Sequence, residues 1–309
     1  MRVGFAVPQC GDFAVSPASL IAAAVRAEEL GYASLWVSER LLWPITLSVP
    51  YPASPGGTLP EVTQAQLDPL ATLTFVAAHT RSVALGTSVI NLPQYQPLRL
   101  ARMLATMDVL SGGRLRVGLG NGWMPEEFSA VGISRDGLGK RADEYIEVLK
   151  QIWTDSLIEF DGRYVQIPRS IVALKPVQKP HPPIYMAAFT PSAMRRVARH
   201  ADGWNPSGLS VEDIVAKFDH IKSMARDAGR DADALELIVR ANVLFTRRPG
   251  GDKRRLFCGT SQEIRSDVQK IRQIDTDELI VDVQWSRDVD SLSALIERME
   301  EMWSIVQSA

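Results

Sequence analysis

Residues 3–37 read VGFAVPQCGDFAVSPASLIAAAVRAEELGYASLWV, and they set the pattern for the whole chain. Residues 3–7 are a short apolar run that stops at Pro8, as a buried strand does. Ser16-Pro17 supplies a helix N-cap followed by proline in the first turn. Leu20, Ala24, Ala27 and Leu30 then fall at helical spacing, and Gly31 provides the C-terminal stop. Residues 34–37 form the next short strand, which completes one strand–helix–strand unit.

The unit recurs. Helices are predicted at 68–79, 97–110, 140–153, 191–199 and 211–228, between strands at 83–88, 114–119, 184–187, 203–205, 235–245 and 278–283. A closing helix carries Leu292, Ile296, Met299, Trp303 and Val306 on one face. Such alternation means a parallel sheet with helical crossovers. The length suits one α/β domain over 1–309, a (β/α)8 TIM barrel. An open doubly wound sheet would carry a glycine-rich nucleotide turn after its first strand, where Pro8-Gln9-Cys10-Gly11 stands instead.

Three segments interrupt the alternation. Residues 41–66 are rich in Pro, Gly and Ser; 157–183 contain FDGRY at 160–164, a hairpin signal; and 246–260 carry Arg247, Arg248, Lys253, Arg254 and Arg255. The first and third follow strands, so they are expected as loop insertions at the C-terminal face, where barrels build their active sites.

Lys plus Arg number 34 against 36 Asp plus Glu, a net charge of −2 that argues against nucleic acid as the main partner. Cys10 and Cys258 are too few for a disulfide framework, so a cytoplasmic protein is expected. The N-terminal residues show no signal peptide, and no apolar run is long enough to span a bilayer. His79, His181, His200 and His220 are scattered and offer no metal site. No nucleophile elbow or phosphate-binding P-loop is present. A small molecule is the expected partner.

A set of motifs runs in order along the chain: AEELGY at 27–32, LWVSER at 35–40, LGTSV at 85–89, LATMDVLSGGR at 104–114, GLGNGW at 118–123, KPVQ at 175–178, PPI at 182–184 and ADGW at 201–204. Together they resemble the bacterial luciferase-like family, and most of all its branch dependent on the deazaflavin coenzyme F420. The resemblance implies a (β/α)8 barrel, a homodimer and either F420 or FMN. It implies an oxidoreductase that passes a hydride between the deazaflavin C5 and a small organic substrate, reducing an activated double bond or an imine. An FMN-dependent luciferase-like monooxygenase is the alternative. A non-catalytic flavin-binding subunit is a third.

Candidate site residues follow from the same match. Glu39 is expected to meet the cofactor heterocycle or a substrate proton, its other reading being a solvated loop acid. Ser88 and Val89 match a third-strand bulge behind the cofactor ring, and a cis peptide is expected between them. Asn121, Gly122, Trp123 and Glu126 follow the fourth strand, where glycine allows close approach and Asn121 both donates and accepts. Trp123 stands where sugar-phosphate-oxidising relatives carry an acid, and with Trp43 it suggests an apolar or aromatic substrate. Ala187, Ala188 and Thr190 open a helix whose free amides suit a phosphate, although relatives have Gly-Gly in place of the two alanines. Arg195, Arg196 and Arg199 follow on that helix. Cys10 is read as a small pocket-lining residue rather than a nucleophile.

Glu39-Arg40 replaces the Asp-His of relatives that oxidise alcohols and sugar phosphates. A histidine accepts the hydroxyl proton during such oxidation; an arginine cannot. Arg40 is therefore expected either to orient an anionic, activated substrate for reduction or to pair with a loop acid. Leu73, Val76 and Met103 match the family's dimer surface; facing the barrel is the other reading of the same positions.

Overall fold

The computed structural model describes residues 1–52, 56–251 and 254–309; Lys253 of the cationic loop lies outside them. Eight parallel strands form the barrel: β1 Arg2–Ala6, β2 Ser34–Val37, β3 Ala84–Thr87, β4 Leu115–Gly120, β5 Ile184–Met186, β6 Gly203–Trp204, β7 Glu236–Asn242 and β8 Glu278–Asp282. Each pairs with the next, and β8 pairs back onto β1 through Val3↔Leu279 and Phe5↔Val281, closing the cylinder. Nine helices accompany them among the described residues: α1 Pro17–Leu30, α2 Pro69–Ala77, α3 Pro97–Leu110, α4 Pro125–Ala130, α5 Leu138–Thr154, α6 Pro191–His200, α7 Val211–Asp227, α8 Ser261–Arg272 and α9 Leu292–Ser308. The chain is thus the predicted (β/α)8 barrel.

Local chemistry explains the boundaries. Gly31 ends α1 at φ 99°, a conformation that a side chain would strain, and its N–H returns to the carbonyls of Ala27 and Glu28. Asp68 caps α2 through the Ala71 N–H. The predicted strand 235–245 divides after β7: Leu244–Phe245 leaves the barrel and pairs with Cys258–Gly259. The FDGRY turn joins Leu157–Asp161 to Gln166–Ile171 as an antiparallel hairpin.

Some expectations need correcting. Helix α8 was not anticipated, although Thr260 and Glu263 form a full capping box at its start. The inner face of α9 is Leu295, Met299, Met302, Ile305 and Val306, so Leu292, Ile296 and Trp303 are only partly covered. Leu73 and Val76 are fully buried, while Met103 is exposed on α3, as are Leu98, Val109 and Leu110 of that helix and Phe75 of α2.

The barrel interior is filled from its N-terminal end. Trp36, Tyr185, Ile238 and Ile280 pack together inside it. Below them the buried Glu278 carboxylate receives the Trp36 indole N–H at 2.9 Å, the Arg2 Nε at 3.3 Å, the Ser34 hydroxyl and the Arg116 guanidinium. This end is a packed, charge-matched plug, which leaves the C-terminal face for a site. Among the described residues no helix is long and apolar enough to cross a membrane.

Candidate functional site

A ring of polar residues floors the C-terminal face. Gln9, one step past the β1 Val7-Pro8 exit, accepts from the Ser38 N–H at 2.5 Å and donates to the carbonyls of Ser38 at 2.8 Å and Leu67 at 3.2 Å. Its own N–H donates to the Gln284 side chain at 2.9 Å. The Ser88 hydroxyl donates to Asn205 at 2.7 Å, and Asn205 donates in turn to the Ile238 carbonyl at 2.7 Å. Arg240 reaches the Ser88 carbonyl at 2.8 Å and Asn242 at 3.1 Å, and pairs with the buried Asp282. Every member is tied, as buried polar groups must be. The expected cis peptide joins Ser88 and Val89.

Glu39 stands beside this floor, only 7% exposed. It accepts the Asn91 N–H at 2.5 Å and the Tyr95 hydroxyl. Burial pushes its carboxyl up to about 7, against the pull of those two hydrogen bonds and helped by the nearby acids Glu127 and Asp68. It is not a solvated loop acid. At neutral pH it can hold or release a proton, which suits a general acid or base.

Arg40 is held by an acid of helix α4. Its Nη1 pairs with the buried Glu127 at 3.2 Å, and Glu127 also accepts the Leu41 N–H at 2.9 Å. The guanidinium lies 5.4 Å from the Trp123 ring centre and 5.9 Å from that of Tyr51. Tyr51 in turn contacts Trp123 at 5.2 Å and Trp285 at 5.8 Å, and Trp43 packs on the same cluster. These rings make an aromatic roof over the face, with Arg40 inserted into it.

Gly122, in the turn after β4, adopts φ +73°, and a Cβ there would sit 2.7 Å from the Phe128 ring and 3.5 Å from Asn91. The neighbour that demands glycine is therefore the protein itself, on the path from Glu39 through Asn91 to this turn. Glu126 accepts the Ser48 N–H at 2.6 Å, tying the long loop after β2 to α4, and the Ser48 hydroxyl and amide hold its carboxyl below the ordinary value.

Ala187 and Ala188 follow β5 without positive φ, and the Ala188 carbonyl accepts the Trp204 indole N–H at 2.9 Å. Thr190 caps α6 through the Ala193 N–H at 3.3 Å. Arg195 and Arg199 are exposed on α6, whereas Arg196 turns inward to Asp143 at 2.5 Å. Cys10 is buried, and burial raises its thiol to about 12, so it lines the face as an unreactive group.

Buried side-chain polar atoms left without a partner cluster at this end. Among the described residues they are Arg40 Nε, Trp43 Nε1, Gln94 Oε1, Asn121 Oδ1, Glu126 Oε2 and Arg141 Nε, and all but the last belong to segments after β2, β3 and β4. Buried orphans are costly unless something pairs with them. A heterocycle bearing carbonyl and N–H groups has the chemistry to do so, and a flavin-type ring fits that donor and acceptor set. Beside the face lies a cavity of about 250 Å³ lined by Ser207, Leu209, Arg240, Asn242, Leu256 and Trp285, among others. Sequence reading named none of those six. Their nearest signal was the cationic loop that follows β7.

The family model described as luciferase-like monooxygenase matches residues 1–251. An uncharacterised protein of Mycobacterium tuberculosis (strain ATCC 25618 / H37Rv) is 33% identical over 224 residues, 71% of this chain and 77% of its own. An FMNH2-dependent dimethylsulfone monooxygenase of Pseudomonas putida is 33% identical over 153 residues, 48% of this chain and 41% of its own. In fold, an F420-dependent secondary alcohol dehydrogenase in complex with an F420–acetone adduct superposes with a TM-score of 0.75 over 99% of this chain and 98% of that one, at 16% identity. Closed barrel, motif order and family match agree, and the chain belongs to the luciferase-like monooxygenase family of oxidoreductases.

Proposed function

We propose that this protein is an F420-dependent oxidoreductase that reduces an activated double bond or an imine of a small organic substrate. The observation that carries the reading is Glu39, a buried carboxyl near neutrality beside a set of unpartnered polar groups. Adding a hydride to such a substrate leaves a carbanion, an enolate or an anionic amine nitrogen that needs a proton, and Glu39 is placed to hold one. Bound deazaflavin would supply or accept the hydride at its C5. Ser88, Val89, Asn121, Gly122, Trp123 and Glu126 would hold its ring, and Ala187, Ala188 and Thr190 its phosphate. Trp43 and Trp123, in the aromatic roof, would exclude water and favour a substrate with an apolar body. Arg40, fixed between Glu127 and two rings, provides no base for alcohol oxidation.

The identity with an FMNH2-dependent monooxygenase favours a second reading, in which reduced FMN and dioxygen replace the deazaflavin. Anaerobic assays with reduced F420 and a panel of cyclic imines and conjugated enones are expected to oxidise the cofactor. Turnover that requires FMNH2 and dioxygen instead would establish the second reading.

The same proposal includes a cytoplasmic setting, which suits two free cysteines, and a homodimer. Phe75, Leu98, Met103, Val109 and Leu110 expose apolar surface on neighbouring helices α2 and α3. Light scattering at dilute concentration is expected to give twice the chain mass, and Met103→Glu to lower it. A monomer mass for the unaltered protein would remove the dimer from the proposal.

A further inference from the structure

Two carboxylates lie close together at the barrel mouth, and they are held differently. Glu127 has a cation, Arg40, and also receives the Gln94 amide at 3.3 Å. Glu39 is bonded by neutral donors, the Asn91 N–H on Oε2 and the Tyr95 hydroxyl on Oε1. The segment 91–95 supplies Asn91 and Tyr95 to one acid and Gln94 to the other, so one short turn positions both. Glu127 on α4 and Asp68 at the start of α2 lie near enough to oppose the ionisation of Glu39, while the adjacent Arg40 directs its charge to Glu127.

Among the described residues no cation forms an ion pair with Glu39, and its ionised form is stabilised by two hydrogen bonds. One comes from the backbone and is fixed by the fold. The other comes from a single side chain that substitution can remove. Hydrogen bonds to a charged acceptor are the stronger kind.

We propose that Tyr95 is a positioning residue for Glu39, its hydroxyl fixing the carboxyl's orientation and setting how readily it releases its proton. When Glu39 gives up its proton, the O–H bond on the carboxyl breaks and the Tyr95 hydroxyl remains aimed at Oε1, stabilising the carboxylate that forms. The O–H bonding pair stays on the carboxylate oxygen, and the proton moves to the basic atom that hydride addition creates next to the hydride-bearing carbon, the imine nitrogen or the enolate; no oxidation state changes in this step. The proposal rests on Glu39 as the proton donor, but its test needs no cofactor, so its failure and the failure of that reading are separable.

The test is a pH titration of cofactor-free protein carrying glutamate labelled with carbon-13 at the side-chain carboxyl, with the Glu39 resonance identified by its loss in Glu39→Gln. Tyr95→Phe is expected to raise the ratio of protonated to ionised Glu39 about tenfold at a given pH, moving the midpoint upward by about one pH unit. The midpoint of the pH–rate profile should move the same way. An unchanged titration would overturn the proposal even if Tyr95→Phe melted earlier, because a merely structural tyrosine affects stability without moving the Glu39 midpoint. A second measurement serves if that variant does not fold. In protein made with 3-fluorotyrosine, the Tyr95 fluorine signal, identified by comparison with the other tyrosines, should titrate with the midpoint of Glu39. A Tyr95 signal indifferent to that midpoint would overturn the proposal.

Discussion

Replacing Glu39 by glutamine is expected to slow substrate reduction by about 10²–10⁴-fold while leaving cofactor affinity within a few-fold. The amide keeps the shape, can still accept the Asn91 N–H and can donate to Tyr95, but it carries no transferable proton. The same substitution should stabilise the fold above neutrality. Folding raises the Glu39 carboxyl from 4.5 to about 7, so its contribution is fully present below the ordinary carboxylate value and is lost as the pH rises through 7. Glutamine does not suffer that loss. At pH 8 the variant should therefore gain on the native protein by about 1–3 kcal/mol relative to pH 4.5. Denaturation curves at the two pH values check the sign, and pre-steady-state reduction checks the rate. A rate loss below tenfold would remove Glu39 as the proton donor.

Arg240→Met is expected to cost about 3–5 kcal/mol of folding stability, because it leaves the fully buried Asp282 without its cation. It also strips a hydrogen bond from the Ser88 carbonyl at the floor of the site. Adding Asp282→Asn should recover a large part of the loss, since the remaining amide carries no charge and can still accept from Gln284. Urea unfolding of the single and double variants measures both effects. A loss under about 1 kcal/mol for Arg240→Met would mean that water or a rearranged Gln284 satisfies Asp282.

The barrel was legible because each strand is an apolar run between strong breakers, as with 34–37 after Gly31 and 278–283 after the acidic 275–277 turn. Helix α8 escaped because its buried apolar stripe is only Ile264, Val268 and Ile271, set among charged residues that blur the period. The inner face of α9 was misplaced because nearly every turn of it offers an apolar residue, so periodicity alone does not choose between Leu292 and Leu295. Glu39 and Asn121 could be singled out as candidates because they sit just past strand ends, where barrel chemistry collects. Arg240 and Asp282 could not, since each follows an apolar Leu-Ile-Val run as one polar residue near the strand's end, and their pairing is created by the neighbouring register of β7 and β8. Gln9 and Gln284 are 275 positions apart, and only barrel closure brings them together. Tyr95 lies in a short connection with no period, and its partner Glu39 stands 56 residues earlier.

Titration of the purified protein with F420 and, separately, with FMN, each oxidised and reduced, tests the central claim most directly. Saturable binding of F420, seen as a change in its absorbance and fluorescence, with FMN binding much more weakly, is the predicted result. Tight binding of reduced FMN with little affinity for F420, or failure to bind either cofactor, would contradict it.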